Sequence, residues 1–215
     1  MLDKKNIIVT GALGHLGTAT CKILSKHGAT VYGLDLSPQD KPFRVLKADL
    51  CSIESIEEAC QDITPDVLIN IAGGFALDDS PFGPCKENWK EMFRLNVTTL
   101  TNTSNVIIPK LINRRKGSIV NIGATSALKG APKLCSYICA KNAVMRITET
   151  LAEELVGSDI RVNAISPSII DTPINRLEMP DADPRSWTKP EEIAEVISFL
   201  CSESSSCISG AIIPV

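Results

Sequence analysis

Residues 5–17 read KNIIVTGALGHLG. A short apolar run from Lys5 to Thr10 ends at a glycine loop. A segment with helical spacing (Leu16, Ala19, Ile23, Leu24) then runs from His15 to His27 and stops at Gly28. The loop places glycines at 11, 14 and 17, a GxxGxxG spacing between a strand and a helix. One glycine permits the tight turn, a second lets a ligand approach the backbone, and a third lets helix and strand pack closely. The helix N-terminus that follows carries free N–H groups and a partial positive charge, which suits a pyrophosphate. Gly11, Leu13, Gly14, Leu16 and Gly17 are therefore the expected contacts of a dinucleotide. Asp35 closes the next strand, Thr30 to Asp35, 18 residues after Gly17. A carboxylate there can accept hydrogen bonds from ribose hydroxyls and repels a 2′-phosphate. Residues 36–38 (Leu-Ser-Pro) supply no cation for such a phosphate. NAD(H) is expected over NADP(H).

The same strand-then-helix rhythm continues outward from this unit. Further strands are expected at Phe43 to Ala48, Asp66 to Ile71, Gly117 to Gly123, Ile160 to Ser166 and Gly210 to Val215. Helices are expected at Ser52 to Gln61, Lys86 to Pro109, Pro132 to Val156 and Thr188 to Cys201. The last opens on Thr188-x-x-Glu191, which has the form of a capping box. Near-continuous apolar strands alternating with helices specify an α/β fold. It is read as a single doubly wound domain over residues 1–215, with a parallel sheet covered on both faces. Right-handed crossovers put the C-terminal ends of the strands on one edge, where ligands bind.

Composition narrows the function. The chain has 215 residues, 22 Lys+Arg against 25 Asp+Glu, and 44% hydrophobic residues. A small acidic excess argues against nucleic acid or an anionic membrane as the main partner. No apolar run reaches the ~18 residues of a spanning helix, and the start lacks the layout of a signal peptide. A cytoplasmic protein is expected. The eight cysteines form no CxxC pair, and only two histidines are present, so no metal site is expected. The cysteines read as small core residues and a few exposed thiols.

Tyr137 and Lys141 are four residues apart in the helical segment after the fifth strand, so phenol and ammonium share one face. A free tyrosine has a pKa near ~10. A neighbouring ammonium favours the phenolate and lowers that value, making a usable general acid/base.

At this point the sequence resembles the short-chain dehydrogenases/reductases, over essentially its whole length. The resemblance rests on Gly11-x-x-Gly14-x-x-Gly17, Asp35, Asp49-Leu50, Asn70-Ile-Ala72-Gly73, Asn96, Gly117-Ser-Ile-Val-Asn121-Ile, Tyr137-x-x-x-Lys141 and Arg161-Val-Asn163-Ala-Ile-Ser-Pro167. It implies a Rossmann-like domain with a sheet of about seven strands. It also implies hydride transfer to or from a nicotinamide, and a homodimer or homotetramer formed through the two long helices. By the same resemblance, Asp49 and Leu50 contact adenine, and Ala72 and Gly73 lie by the adenine ribose. Pro167, Ile169 and Thr172 flank the nicotinamide. Tyr137 is the proton donor or acceptor, Lys141 lowers its pKa and holds ribose hydroxyls, and Asn96 holds a water in the proton relay.

The departures from the family pattern are informative. The family's usual serine, 13 positions before its tyrosine, is Ala124 here. Ser126 or Thr125 is the nearby hydroxyl, and Ser126 is taken as the candidate. Alanine at this place, the glycine spacing, Ala72-Gly73-Gly74-Phe75 and the stretch from Asp171 to Trp187 resemble the quinonoid dihydropteridine reductases within the family. An already activated conjugated C=N system has less need of a hydroxyl that polarises a ketone. The chain is shorter than usual for the family, with part of the saving after Asp35. Residues 168–187 are read as the substrate segment, with Arg176, Met179 and Trp187 as clamp and wall. Trp89 is read as core or interface, and Asp181 and Asp183 as solvated charges. The expected activity is reduction or oxidation of a small oxo or quinonoid/imine-like substrate. Its alternatives are a carbonyl/alcohol or acyl-carrier ketoreductase, and a dinucleotide-sensing module without catalysis.

Overall fold

The computed structural model describes residues 2–78 and 88–215. Among them, seven strands form one sheet: β1 (Asn6–Thr10), β2 (Thr30–Asp35), β3 (Arg44–Lys47), β4 (Val67–Asn70), β5 (Gly117–Ile122), β6 (Ile160–Ser166) and β7 (Ile212–Pro214). Their order is β3-β2-β1-β4-β5-β6-β7, and every neighbouring pair is parallel. The chain runs outward from β1 to β3, then returns and runs the other way from β4 to β7. The reversal lies between β1 and β4, and it opens a crevice above the ends of those strands.

Strand alternation explains both layers. Ile7 and Val9 of β1, with Val67 and Ile69 of β4, face α1 (His15–Lys26) and α7 (Pro190–Cys201) through Leu16, Leu24, Ile193 and Ile197. Ile8 and Leu68 face the opposite layer, formed by α2 (Ile53–Cys60), α4 (Thr99–Arg114) and the end of α5 (Cys135–Glu154) through Ile56, Ile107, Leu111 and Ala152. Both faces are apolar, as expected of a parallel sheet buried on both sides. Three cysteines, Cys21, Cys60 and Cys201, belong to these layers, and the seven described cysteines are all free. Cys85 lies outside the described residues.

Several element boundaries differ from the sequence expectation. The helix expected to end at Pro109 continues to Arg114. Proline there removes one helical donor, but Ile107 and Leu111 on either side of it are fully buried and hold the helix together. Its described part begins at α3 (Asn88–Phe93) and passes through a π-helical turn, Arg94–Thr98, before α4. The last helix starts one residue later than expected. Pro190 takes its first position, and Glu192 accepts the Lys189 N–H at 2.9 Å, so the box is shifted by one. The substrate segment contains α6 (Pro173–Glu178), capped by the Thr172 hydroxyl, and a 3-10 turn at Pro184–Ser186. No helix occupies residues 36–43 between β2 and β3, in line with the expected saving after Asp35.

A buried polar chain ties the centre of the sheet to α5. Asn70 Nδ2 donates to Asn121 Oδ1, and Asn121 Nδ2 donates to Thr148 Oγ1, both at 2.9 Å. Thr148 in turn donates to the Val144 carbonyl. Thr148→Val keeps the shape and strands the Asn121 amide. It is expected to destabilise the protein by about 1–3 kcal/mol in urea unfolding. A change below ~0.5 kcal/mol would show that the chain contributes nothing.

Candidate active site

The crevice is built first by close approach of backbones. Gly11 adopts φ +64°, and a Cβ on it would meet the Ala72 Cα at 2.9 Å. A Cβ on Gly17 would overlap the Gly11 carbonyl oxygen. A Cβ on Gly33 would meet the Ala12 Cβ at 2.5 Å, so β2 also depends on a glycine to seat the loop. Thr10, the last residue of β1, reaches across the crevice. Its Oγ1 accepts the N–H groups of Ile71 and Ala72, each at 3.0 Å. The turns after β1 and β4 are thereby locked side by side. Gly14 is the N-cap of α1 and has no side chain to cap it, and no acid occupies the first turn. The N-terminal N–H groups of α1 are left for an anion.

Asp35 ends β2 beside this loop. Its two oxygens accept the N–H groups of Leu13 and Leu36, each at 2.9 Å. The carboxylate is thus fixed in place with lone pairs left for hydroxyl donors. Lys47 of β3 is in register with Asp35 and is exposed. Asp49 accepts the Cys51 N–H at 2.9 Å, and Leu50 is buried under the same turn. The residues present fit a dinucleotide: a glycine cradle, an uncapped helix end, an acid at the ribose position, and a buried Asn70 Oδ1 with no hydrogen-bond partner at the crevice.

The chemical half of the site lies on α5 and on the turns after β4 and β5. Lys141 is buried, and its Nζ donates to the Ile122 carbonyl at 2.9 Å. A Cβ on Gly73 would meet Asn96 Oδ1 at 2.6 Å and Lys141 Nζ at 3.4 Å, so both groups crowd the same point. Asn96 sits in the π-helical turn and is buried. Its Nδ2 donates to the carbonyls of Met92 (2.9 Å) and Gly74 (3.0 Å), and its Oδ1 accepts the Gly74 N–H at 3.3 Å. The amide replaces a lost helical bond and grips the Gly73–Gly74 backbone. Tyr137 packs in the small apolar cluster of Ala124, Ala127, Ile138 and Met145. The Phe75 ring stands edge-on to it, with centroids 5.0 Å apart.

Ionisation here runs against the sequence expectation. Burial pushes the Tyr137 phenol up to about 12 and brings Lys141 down to about 8. The ammonium was expected to lower the phenol. Loss of water dominates both groups, because each charged form is disfavoured in a dry crevice.

Other expected residues separate into those that meet the site and those that do not. Ala124 is buried, and Ser126 is exposed on the 3-10 turn Thr125–Leu128. Thr125 Oγ1 donates to the Ser166 carbonyl at 2.7 Å and ties the ends of β5 and β6. Pro167, at the end of β6, accepts the Thr125 N–H, Ile169 is exposed, and Thr172 caps α6. Arg176 is paired with Asp171 at 2.6 Å, and Asp183 with Arg185 at 2.8 Å. Trp187 is 8% exposed, so it is a packing residue and offers little open wall. Trp89 is the reverse: at 38% exposure it stacks on Phe93 at the surface and is no core residue. Among the described residues no group of three or more His, Cys, Asp or Glu is placed to hold a metal, and no helix is long and apolar enough to cross a membrane. Sequence reasoning assigned no site role to Thr10, to the Ile122 carbonyl or to Asp78. A polar residue closing an apolar strand was the available signal for Thr10, and nothing marked the other two.

The Lys141 shift has a measurable consequence. Its pKa falls from 10.5 to about 8 in the fold. Between those values the unfolded chain holds the extra proton, so this group makes the fold more stable as pH rises through that window. The wild type is expected to gain a few degrees of melting temperature on Lys141→Met between pH 8 and 10. A gap that stays constant with pH would show that the ammonium is not desolvated.

Comparison with known proteins agrees with the crevice. Residues 5–183 match the short chain dehydrogenase family. The chain is 30% identical to the 3-oxoacyl-[acyl-carrier-protein] reductase FabG of Thermotoga maritima, over all of this chain and 97% of that protein. It superposes on the aldohexose dehydrogenase of Thermoplasma acidophilum with a TM-score of 0.90 and 25% identity, covering 100% of this chain and 93% of the other. It also superposes on the 3-ketoacyl-(acyl-carrier-protein) reductase of Brucella melitensis complexed with NADH, with a TM-score of 0.89 and 25% identity, over 100% of this chain and 98% of that one. None of these three is a dihydropteridine reductase. The matched segment spans the glycine loop, the Tyr137–Lys141 helix and the turn at Pro167–Thr172, and the chain belongs to the short-chain dehydrogenase/reductase family of NAD(P)-dependent oxidoreductases.

Proposed function

We propose that the protein is an NAD(H)-linked reductase of a small substrate whose electrophilic carbon is already activated by conjugation, such as a quinonoid C=N system. One observation carries this reading. Tyr137 and Lys141 stand at the crevice, while the position that would polarise a plain ketone is Ala124, buried and without a donor. The neighbouring Thr125 hydroxyl is committed to Ser166. Gly11, Leu13, Gly14, Leu16 and Gly17 cradle the pyrophosphate. Asp35 takes the adenine ribose, Asp49, Leu50, Ala72 and Gly73 line the adenosine side, and Pro167, Ile169 and Thr172 flank the nicotinamide. The dinucleotide, when bound, supplies the hydride. Tyr137 stays protonated through neutral pH and donates its phenolic proton to the substrate nitrogen or oxygen next to the carbon that receives the hydride. Lys141 orients ribose hydroxyls while the Ile122 carbonyl holds one of its protons. Asn96 fixes the Gly73–Gly74 backbone beside it, where a relay water would sit.

A second reading is favoured by the printed names of two of the relatives: a ketoreductase acting on carrier-bound acyl groups. It requires Ser126 to turn inward as the missing donor. The same proposal puts the enzyme in the cytoplasm, as a dimer or tetramer assembled through α3–α4 and α5. The half-exposed Trp89–Phe93 stack supports a partner there.

NADH oxidation with quinonoid, quinone, ketone and 3-ketoacyl thioester substrates tests both readings. Tyr137→Phe is expected to lower turnover by ~10²–10⁴-fold and to leave NADH binding within about twofold. Full activity in that variant would overturn the mechanism. Reductive kcat/KM is expected to fall above about pH 8, as Lys141 loses its proton. Ser126→Ala is expected to leave quinonoid reduction unchanged. A selective loss of 3-ketoacyl reduction would favour the second reading.

A further inference from the structure

We propose that Asp78 is a positioning residue for Tyr137, acting as a cap supplied from a distant segment to the first turn of α5. The inference rests on the reading of Tyr137 as the proton donor. Helix α5 starts badly on its own. Its N-cap position is Leu134, which has no capping group, and Lys133 before it is held at φ +61°. The first-turn N–H groups therefore need an outside acceptor. Asp78 provides it. Its carboxylate accepts the Ser136 hydroxyl on Oδ1 at 2.8 Å and the Ser136 N–H on Oδ2 at 3.3 Å. Its own N–H donates to the Lys133 carbonyl at 2.8 Å. Asp78 is 5% exposed, so these bonds form away from water, where an unpaired carboxylate would be strongly disfavoured. A negative charge at a helix N-terminus also meets the favourable end of the helix dipole.

The position of this latch gives it a role in the chemistry. Ser136 immediately precedes Tyr137. The segment from Gly73 to Asp78 touches the site at Gly73, Gly74 and Phe75. Asn96 grips Gly74, Gly73 abuts Asn96 and Lys141, and Phe75 lies edge-on to Tyr137. Asp78 closes the strap onto the helix that carries the phenol. Without the latch, the first turn of α5 can fray, and the phenol moves with it. A misplacement on the scale of 1 Å is enough to lower turnover by ~10²-fold while binding elsewhere persists.

The test compares Asp78→Ala, Asp78→Asn, Ser136→Ala and the double variant Asp78→Ala/Ser136→Ala in the full chain. Each is assayed for turnover with the best substrate of the panel above, NADH affinity by fluorescence titration, and amide hydrogen exchange over residues 133–140. Asp78→Ala is expected to lower kcat by ~10–100-fold, to change NADH affinity less than about twofold, and to speed exchange in the first turn of α5. Asp78→Asn is expected to recover most of kcat, because its carbonyl still accepts the Ser136 hydroxyl. The double variant is expected to be no worse than Asp78→Ala. Wild-type kcat in folded Asp78→Ala would overturn the proposal, as would parallel loss of kcat and NADH affinity. If Asp78→Ala does not fold, Ser136→Ala decides: a several-fold loss of kcat at unchanged NADH affinity supports the latch, and wild-type kcat overturns it. Tyr137→Phe is assayed alongside. If that variant stays active, the reading of Tyr137 fails first and takes this one with it. If it is inactive while Asp78→Ala is normal, only the latch fails.

Discussion

The architecture of the site depends on how closely the turn after β1 approaches the turn after β4. Gly11 lies against Ala72, and Gly17 lies against the Gly11 carbonyl, at separations that no Cβ would allow. Thr10 then fastens the two turns by accepting both the Ile71 and Ala72 N–H groups. This single contact region sets the width of the crevice, aims the N-terminus of α1, and starts the strap that reaches α5. Moving either turn outward would displace the glycine cradle and, through the strap, the segment packed on Tyr137.

Packing also decides the electrostatics. Burial keeps the Tyr137 proton on and loosens the Lys141 proton, so the site holds a neutral acid and a weakened cation. A preorganised acid of this kind suits proton delivery to a strongly electrophilic substrate. Ala124 has the same implication, since it removes the donor that would otherwise polarise an unactivated carbonyl. The relatives named above include ketoreductases, and the exposed Ser126 is where such chemistry would have to find its donor. In the proposed reading, substrate choice turns on one short 3-10 turn after β5.

Much of this was legible in the sequence because it depends on local pattern. Near-continuous apolar runs in β1 and β4 marked a sheet covered on both faces. Glycine spacing marked the turn after β1, and the four-residue spacing of Tyr137 and Lys141 marked one helix face. What escaped was set by long-range contacts. Burial outweighs the expected effect of Lys141 on Tyr137, because desolvation is a property of the folded crevice. Pro109 did not end its helix, because buried neighbours on both sides outweighed a missing donor. Trp187 and Arg176 were read as a substrate wall and clamp, yet one is packed inward and the other is paired with Asp171. Asp78 gave no signal, since its partner Ser136 lies 58 residues away in the chain.

The central claim is that close backbone approach at Gly11 and Gly17 builds a dinucleotide site from which the rest of the chemistry follows. Calorimetric titration of NADH into the wild type and into folded Gly17→Val tests it most directly. The account predicts saturable binding of one NADH per chain in the wild type, and loss of that binding in the variant. Equal binding by both proteins, or no binding by the wild type, would contradict it.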